Sequence, residues 1–146
     1  MSDSDLIKLY SKQILALAAD IPHLGSLEAP DASIKKRAPL CGSTVTVDLT
    51  SDGETVREFA QTVKACALGQ ASASILGAHV TGARRAELQE ARNALAAMLA
   101  EDGPTPPAPF DGLEVLRPAR EFKNRHASIL LAWDATLAAL EAVPAD

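Results

Sequence analysis

The chain has 146 residues, 47% of them hydrophobic and 23% charged, which suits one soluble globular domain with a single core and excludes a disordered chain. Its net charge of −5 leaves no basic excess to neutralise phosphates, which argues against nucleic-acid binding. The longest apolar run, residues 94–100, is too short to span a bilayer, and the acidic start Met1-Ser2-Asp3-Ser4-Asp5 is unlike a secretory signal. A cytoplasmic address is expected, and in a reducing compartment the two cysteines read as thiols or ligands rather than a structural disulfide.

In chain order, residues 5–19 read as a helix, with Ile7, Tyr10, Ile14 and Leu17 at helical spacing and Ser4 or Asp5 as cap. Residues 21–39 hold three prolines, a glycine and the basic triplet Lys35-Lys36-Arg37, and read as an extended surface connection. Residues 44–49 alternate apolar and polar as a half-buried strand does. Ser51-Asp52-Gly53-Glu54 supplies turn chemistry, after which residues 56–65 return as one bent strand or two short ones. From Cys66 the texture changes to a helix of small residues, Ala67-Leu68-Gly69-Gln70-Ala71-Ser72-Ala73-Ser74, with Gly82 placed to end it. A second helix over residues 84–101 puts Leu88, Ala91, Leu95 and Met98 on one face. Residues 103–109 are too rich in proline for helix or sheet, and a short segment at 113–116 precedes a last helix over 125–143. Ile129, Trp133, Leu137 and Leu140 form the buried stripe of that helix. Strands first and helices after give an α+β class: a small antiparallel sheet of about three strands covered by helices, with helices at both ends of the chain.

Chemistry is expected where regular elements begin. Cys41 lies in Pro39-Leu40-Cys41-Gly42-Ser43, where the glycine frees the backbone to turn and keeps the sulfur approachable. Cys66 precedes a helix whose positive end suits a thiolate, the form that attacks sulfur or binds metal. Asn124-Arg125-His126-Ala127-Ser128 opens the last helix with a guanidinium, an imidazole and a hydroxyl. On residue type alone, two isolated cysteines are more often small buried hydrophobes, and His23, His79 and His126 more often surface groups.

Three motifs go further. A proline two residues before Cys41-Gly42 leads into an alternating strand; Cys66 is followed by a small-residue helix containing Ala71-Ser72-Ala73-Ser74; Arg125, Ser128 and Trp133 keep a fixed frame on the last helix. In these, and in the Pro22-His23-Leu24-Gly25 turn, the chain resembles the NifU N-terminal, IscU and SufU family of iron–sulfur cluster assembly scaffold proteins over residues 5–140. The stretch between the second helix and Arg125 resembles SufU, and the Leu-Pro-Pro-Val-Lys chaperone-recognition sequence of IscU is absent. The resemblance implies a non-enzymatic protein that works with a cysteine desulfurase, accepting sulfur or transiently binding iron, an iron–sulfur cluster or zinc. It implies Cys41 and Cys66 as metal, cluster or sulfur-acceptor residues, with Ser43 standing where the family has aspartate and Ser128 where it has a third cysteine. With those two ligands substituted, any metal site is expected to be weak. Arg125 is then a candidate for partner contact and His126 for an auxiliary ligand. Two other readings keep the same residues: a metal-free interaction module of this fold, and a small dithiol redox protein.

Overall fold

The structure is a computed structural model, and it describes residues 11–39 and 42–144. The first described helix, α1 (Lys12–Ala19), is capped by Ser11, whose hydroxyl accepts a hydrogen bond from the Ile14 N–H at 3.3 Å. Ile14 is the residue of α1 that is buried completely. The expected start of this helix, with Ile7, Tyr10 and the Ser4 or Asp5 cap, lies outside the described residues.

A three-stranded antiparallel sheet follows, in the order β1 (Ala32–Arg37), β2 (Thr44–Ser51), β3 (Val56–Lys64). The connection expected over residues 21–39 is therefore half wrong, because its second part is an edge strand. Ala32 is buried and Ile34 partly so, while Lys35, Lys36 and Arg37 carry the exposed positions. Charged residues of this kind protect an edge from unwanted pairing, so the triplet that reads as a loop is the device of an edge strand. The return over 56–65 is one strand, not two, joined to β2 by the expected turn: Asp52 Oδ1 accepts from the N–H groups of Glu54 and Thr55, both at 2.9 Å, and Gly53 takes φ 99°. Those two backbone bonds, with Arg57 nearby, hold the Asp52 carboxyl below its ordinary range.

Val45, Val47 and Leu49 of β2 point to one face of the sheet and are fully buried. On the other face Asp48 is nearly buried and organises the preceding loop, accepting from the Leu27 N–H and the Ser33 hydroxyl. The helical layer consists of α2 (Ala67–His79), α3 (Arg85–Glu101), a 3-10 helix (Asp111–Glu121) and α4 (Lys123–Ala142). α4 packs on β1 and β2, while α2 packs on β3 and on α1. α2 stops at His79, three residues before Gly82; that glycine, at φ 85°, instead turns the chain so that its N–H reaches the Val56 carbonyl at 2.8 Å. Leu88, Ala91, Leu95 and Met98 all lie buried on α3 as their spacing requires. α4 buries more than a stripe: Leu131, Ala132, Ala135, Thr136 and Ala139 join Ile129, Trp133 and Leu140, leaving Leu137 at the margin. A helix covered on most of its circumference is the centre of the domain. Trp133 is its anchor, edge-on to Phe110 at 5.0 Å between ring centroids and donating from Nε1 to Ser72 Oγ at 3.1 Å. No helix among the described residues is long and apolar enough to cross a membrane.

Candidate functional site

The fold brings three segments together at one end of the sheet. Ser43 stands immediately before β2, Cys66 immediately before α2, and Ser128 in the second turn of α4. Ser43 Oγ and Ser128 Oγ share a hydrogen bond of 3.0 Å, although 85 residues separate them in the chain. Ser128 Oγ lies 3.6 Å from Cys66 Sγ. Both hydroxyl-bearing residues are buried, at 4% and 1% exposure, whereas Cys66 is half-buried.

Local chemistry explains each position. The segment leading to Ser43 is a closed turn: the Gly42 N–H donates to the Ala38 carbonyl at 2.9 Å and the Ala38 N–H to the Ser43 carbonyl at 2.8 Å. Gly42 has φ 69°, a conformation that glycine adopts without cost. Cys41, the residue before it, lies outside the described residues. Cys66 is the N-cap residue of α2, with extended backbone and its carbonyl accepting from Gln70 N–H at 2.9 Å. Gln70 closes the same junction from its side chain, donating to the Ala65 carbonyl at 2.8 Å.

Ser128 reaches the other two because α2 is thin at that point. A Cβ placed on Gly69 would lie 2.6 Å from Ser128 Oγ, 2.9 Å from Ala65 Cβ and 3.0 Å from the Ser128 carbonyl oxygen. The sequence offers Gly69 only as one of several small residues. Its role in admitting Ser128 is a matter of close approach that spacing alone does not reveal. One turn further on, Ser72 Oγ donates to the Ile129 carbonyl at 2.7 Å and accepts from Trp133, which locks the two helices in register.

Arg125 and His126 are half-exposed in the first turn of α4. His126 Nε2 sits 3.0 Å from the Ala119 carbonyl and 3.1 Å from the Arg120 carbonyl, so it carries the proton and closes the end of the 3-10 helix. That engagement commits Nε2 to the 3-10 helix.

These donors do not fit a resident zinc ion or cluster. Among the described residues, the groups that converge are one thiol and two hydroxyls, and the hydroxyls are bonded to one another. Zinc sites in proteins use thiolate, imidazole and carboxylate ligands. Among the described residues, no group of three or more His, Cys, Asp or Glu side chains is arranged to hold a metal ion.

The fold is shared with known proteins. The fold matches a NifU-like protein (N-terminal) from Brucella abortus with a TM-score of 0.92 and 42% identity, over 95% of this chain and 96% of that one. It matches, at 20% identity and a TM-score of 0.79, a protein assigned to iron–sulfur cluster assembly scaffolding in the SUF system of Fervidobacterium islandicum AW-1, over 92% of this chain and 98% of that one. A hypothetical protein matches at 22% identity and 0.77, again over 92% and 98%. No protein-family model and no curated protein sequence matches the chain. An α+β domain of this fold defines the class of NifU N-terminal, IscU and SufU scaffold folds. At 42% identity along nearly the whole of both chains, this protein belongs to the NifU-like N-terminal family.

Proposed function

We propose that the protein is a non-enzymatic iron–sulfur cluster assembly factor, formed as a single domain over residues 1–146 and acting in the cytoplasm. It accepts sulfur from a cysteine desulfurase, or transiently holds iron or a cluster as cargo, through Cys41 and Cys66, with Arg125 in contact with the partner. The observation that carries this reading is the convergence of Cys66, Ser43 and Ser128 from three distant segments in a chain of the NifU-like family. A site kept in place while two ligands are replaced retains a half-exposed thiol at its centre, and the thiolate is the sulfur nucleophile.

The test is incubation with a cysteine desulfurase and L-cysteine, followed by intact mass and peptide mapping of the protein. Sulfur is expected on wild-type protein at the two cysteines, with loss in Cys41→Ser together with Cys66→Ser. Absence of sulfur on wild-type protein, together with absence of iron and sulfide binding in anaerobic titration, contradicts the reading. The hydroxyl pair favours one second reading, a metal-free interaction module that binds the desulfurase without taking sulfur. Complex formation without sulfur transfer identifies it.

A further inference from the structure

We infer that the centre works without a resident metal, and that Ser43 and Ser128 form a hydroxyl relay positioning the Cys66 sulfur to take sulfur from a persulfide. This rests on the assembly reading and names the cargo of that site. The relay has a direction fixed by proton count. A thiolate has no proton, so Ser128 donates its one proton to Cys66 Sγ across the 3.6 Å contact. Its oxygen then accepts from Ser43, 3.0 Å away.

Burial decides between this use and metal binding. Ser43 and Ser128 are 4% and 1% exposed, and a hydroxyl near neutral pH carries no charge to offset the dehydration of a dication. To ligate a metal they would also have to give up their mutual hydrogen bond. For the Cys66 thiolate, in contrast, the Ser128 hydroxyl, itself hydrogen-bonded to Ser43, is a matching neutral donor. The position of the Ser128 hydroxyl is set by backbone packing, since Gly69 leaves room for it and Ser72 holds the adjacent Ile129 carbonyl.

The step is balanced without any other reagent. Cys66 thiolate attacks the outer sulfur of a persulfidated cysteine, a new S–S bond forms, and the donor's S–S bond breaks. The donor cysteine leaves as a thiolate, and the outer sulfur remains on Cys66 as a persulfide. One S–S bond replaces another, so no external oxidant or reductant enters. Ser128 is a positioning residue here, acting through the Cys66 sulfur.

The experiment uses the full chain, treated with chelator and desalted, with glutathione persulfide as donor under anaerobic conditions, with and without added zinc. Peptide mapping after intact mass is expected to place one sulfur on Cys66 without metal. Ser128→Ala is expected to slow that uptake roughly tenfold, the loss of one hydrogen bond to a charged group; Ser43→Ala, which keeps the direct contact, is expected to slow it less. A structural role alone would not move a spectroscopic signature of the contact. In a Cys41→Ser background, at a pH low enough to protonate Cys66, the single S–H Raman band reports the same contact and is expected to shift when Ser128→Ala is added. Uptake that requires zinc overturns this inference and leaves the assembly reading intact. Equal rates and an unmoved S–H band in Ser128→Ala overturn the positioning role. No uptake on Cys66 under either condition overturns the inference together with the sulfur-acceptor reading beneath it.

Discussion

Restoring the substituted ligands should convert this centre into a zinc site without altering the fold. The perturbation is Ser43→Asp combined with Ser128→Cys. Around a tetrahedral zinc with Zn–S near 2.3 Å and Zn–O near 2.1 Å, a sulfur and an oxygen ligand stand about 3.6 Å apart. In the variant residue 128 is itself a sulfur ligand, so it should stand about 3.8 Å from Cys66 Sγ and about 3.6 Å from the oxygen at residue 43. Ser128 Oγ now lies 3.6 Å from the first and 3.0 Å from the second, so among the described donors the needed displacements are within roughly half an ångström. What the wild-type chain lacks is charge. Both replacements are anionic when bound, and with Cys41 and Cys66 they complete three thiolates and a carboxylate.

At free zinc a hundredfold above the dissociation constant, a ligand that binds only the folded state stabilises it by about 2.7 kcal/mol. For a chain of this size that raises Tm by roughly 8 °C. The double variant should copurify with one zinc per chain, lose that Tm increment on adding chelator, and hold zinc in competition with a chromogenic chelator. Wild-type protein should show neither chelator dependence nor competition. Equal zinc affinity in the two proteins would refute the reasoning, because it would mean that the serines were never the missing ligands.

Three further outcomes follow from the packing. Gly69→Ala should destabilise by about 1–3 kcal/mol in urea denaturation even though alanine is the better helix former, because its Cβ would meet the Ser128 carbonyl at 3.0 Å and Ala65 Cβ at 2.9 Å; a stabilised variant would contradict the close approach. Ser72→Ala should cost about 1–3 kcal/mol by leaving the buried Trp133 N–H without its acceptor, followed by the fluorescence of that single tryptophan, and an unchanged denaturation midpoint would show that the bond does not matter. Arg117 donates to Glu114 and Asp102 and, with Thr105, holds the Glu114 carboxyl below its ordinary value of 4.5. A depressed carboxylate contributes stability above that pH and loses it as pH falls through the folded value, so Arg117→Met should flatten the fall of Tm below about pH 4.5; an unaltered acid limb would contradict it.

The elements most legible in the sequence were those whose buried face has one period. The α3 positions Leu88, Ala91, Leu95 and Met98 and the alternation of β2 needed no tertiary information. β1 was hidden because an edge strand in this sheet buries only Ala32 and part of Ile34, leaving Lys35-Lys36-Arg37 to look like a solvated loop. The 3-10 helix extends well beyond the short segment expected at 113–116. Leu113, Leu116 and Ala119 recur every third residue, the period of a 3-10 turn, while Pro118 discourages an α-helical reading. At the site, residue type pointed to Cys66 as a helix-start thiol, but the partnership of Ser43 with Ser128 came from the family frame. Nothing local announces a hydrogen bond between residues 85 apart. Gly69 stayed invisible for the same reason, since the helix that requires its missing side chain is some sixty residues away.

The substituted ligands are intelligible once the energetics of a metal-free centre are considered. Three thiolates and a carboxylate held together without metal would repel one another in a partly buried place, a conflict that a bound dication removes. A chain that folds without zinc has two ways to relieve it, by opening the centre or by discharging it. Here the centre stays closed, because Gly69 lets α4 approach α2 and the Ser72 bonds to Ile129 and Trp133 hold the two helices in register. Discharge is therefore the remaining route, and two hydroxyls that hydrogen-bond to each other carry no charge to repel the thiol beside them. The half-exposed Cys66 then stands against a neutral, hydrogen-bonding wall. Such a wall holds the sulfur by a hydrogen bond rather than by a metal bond, whereas in a closed four-ligand metal site the thiolate is consumed as a ligand.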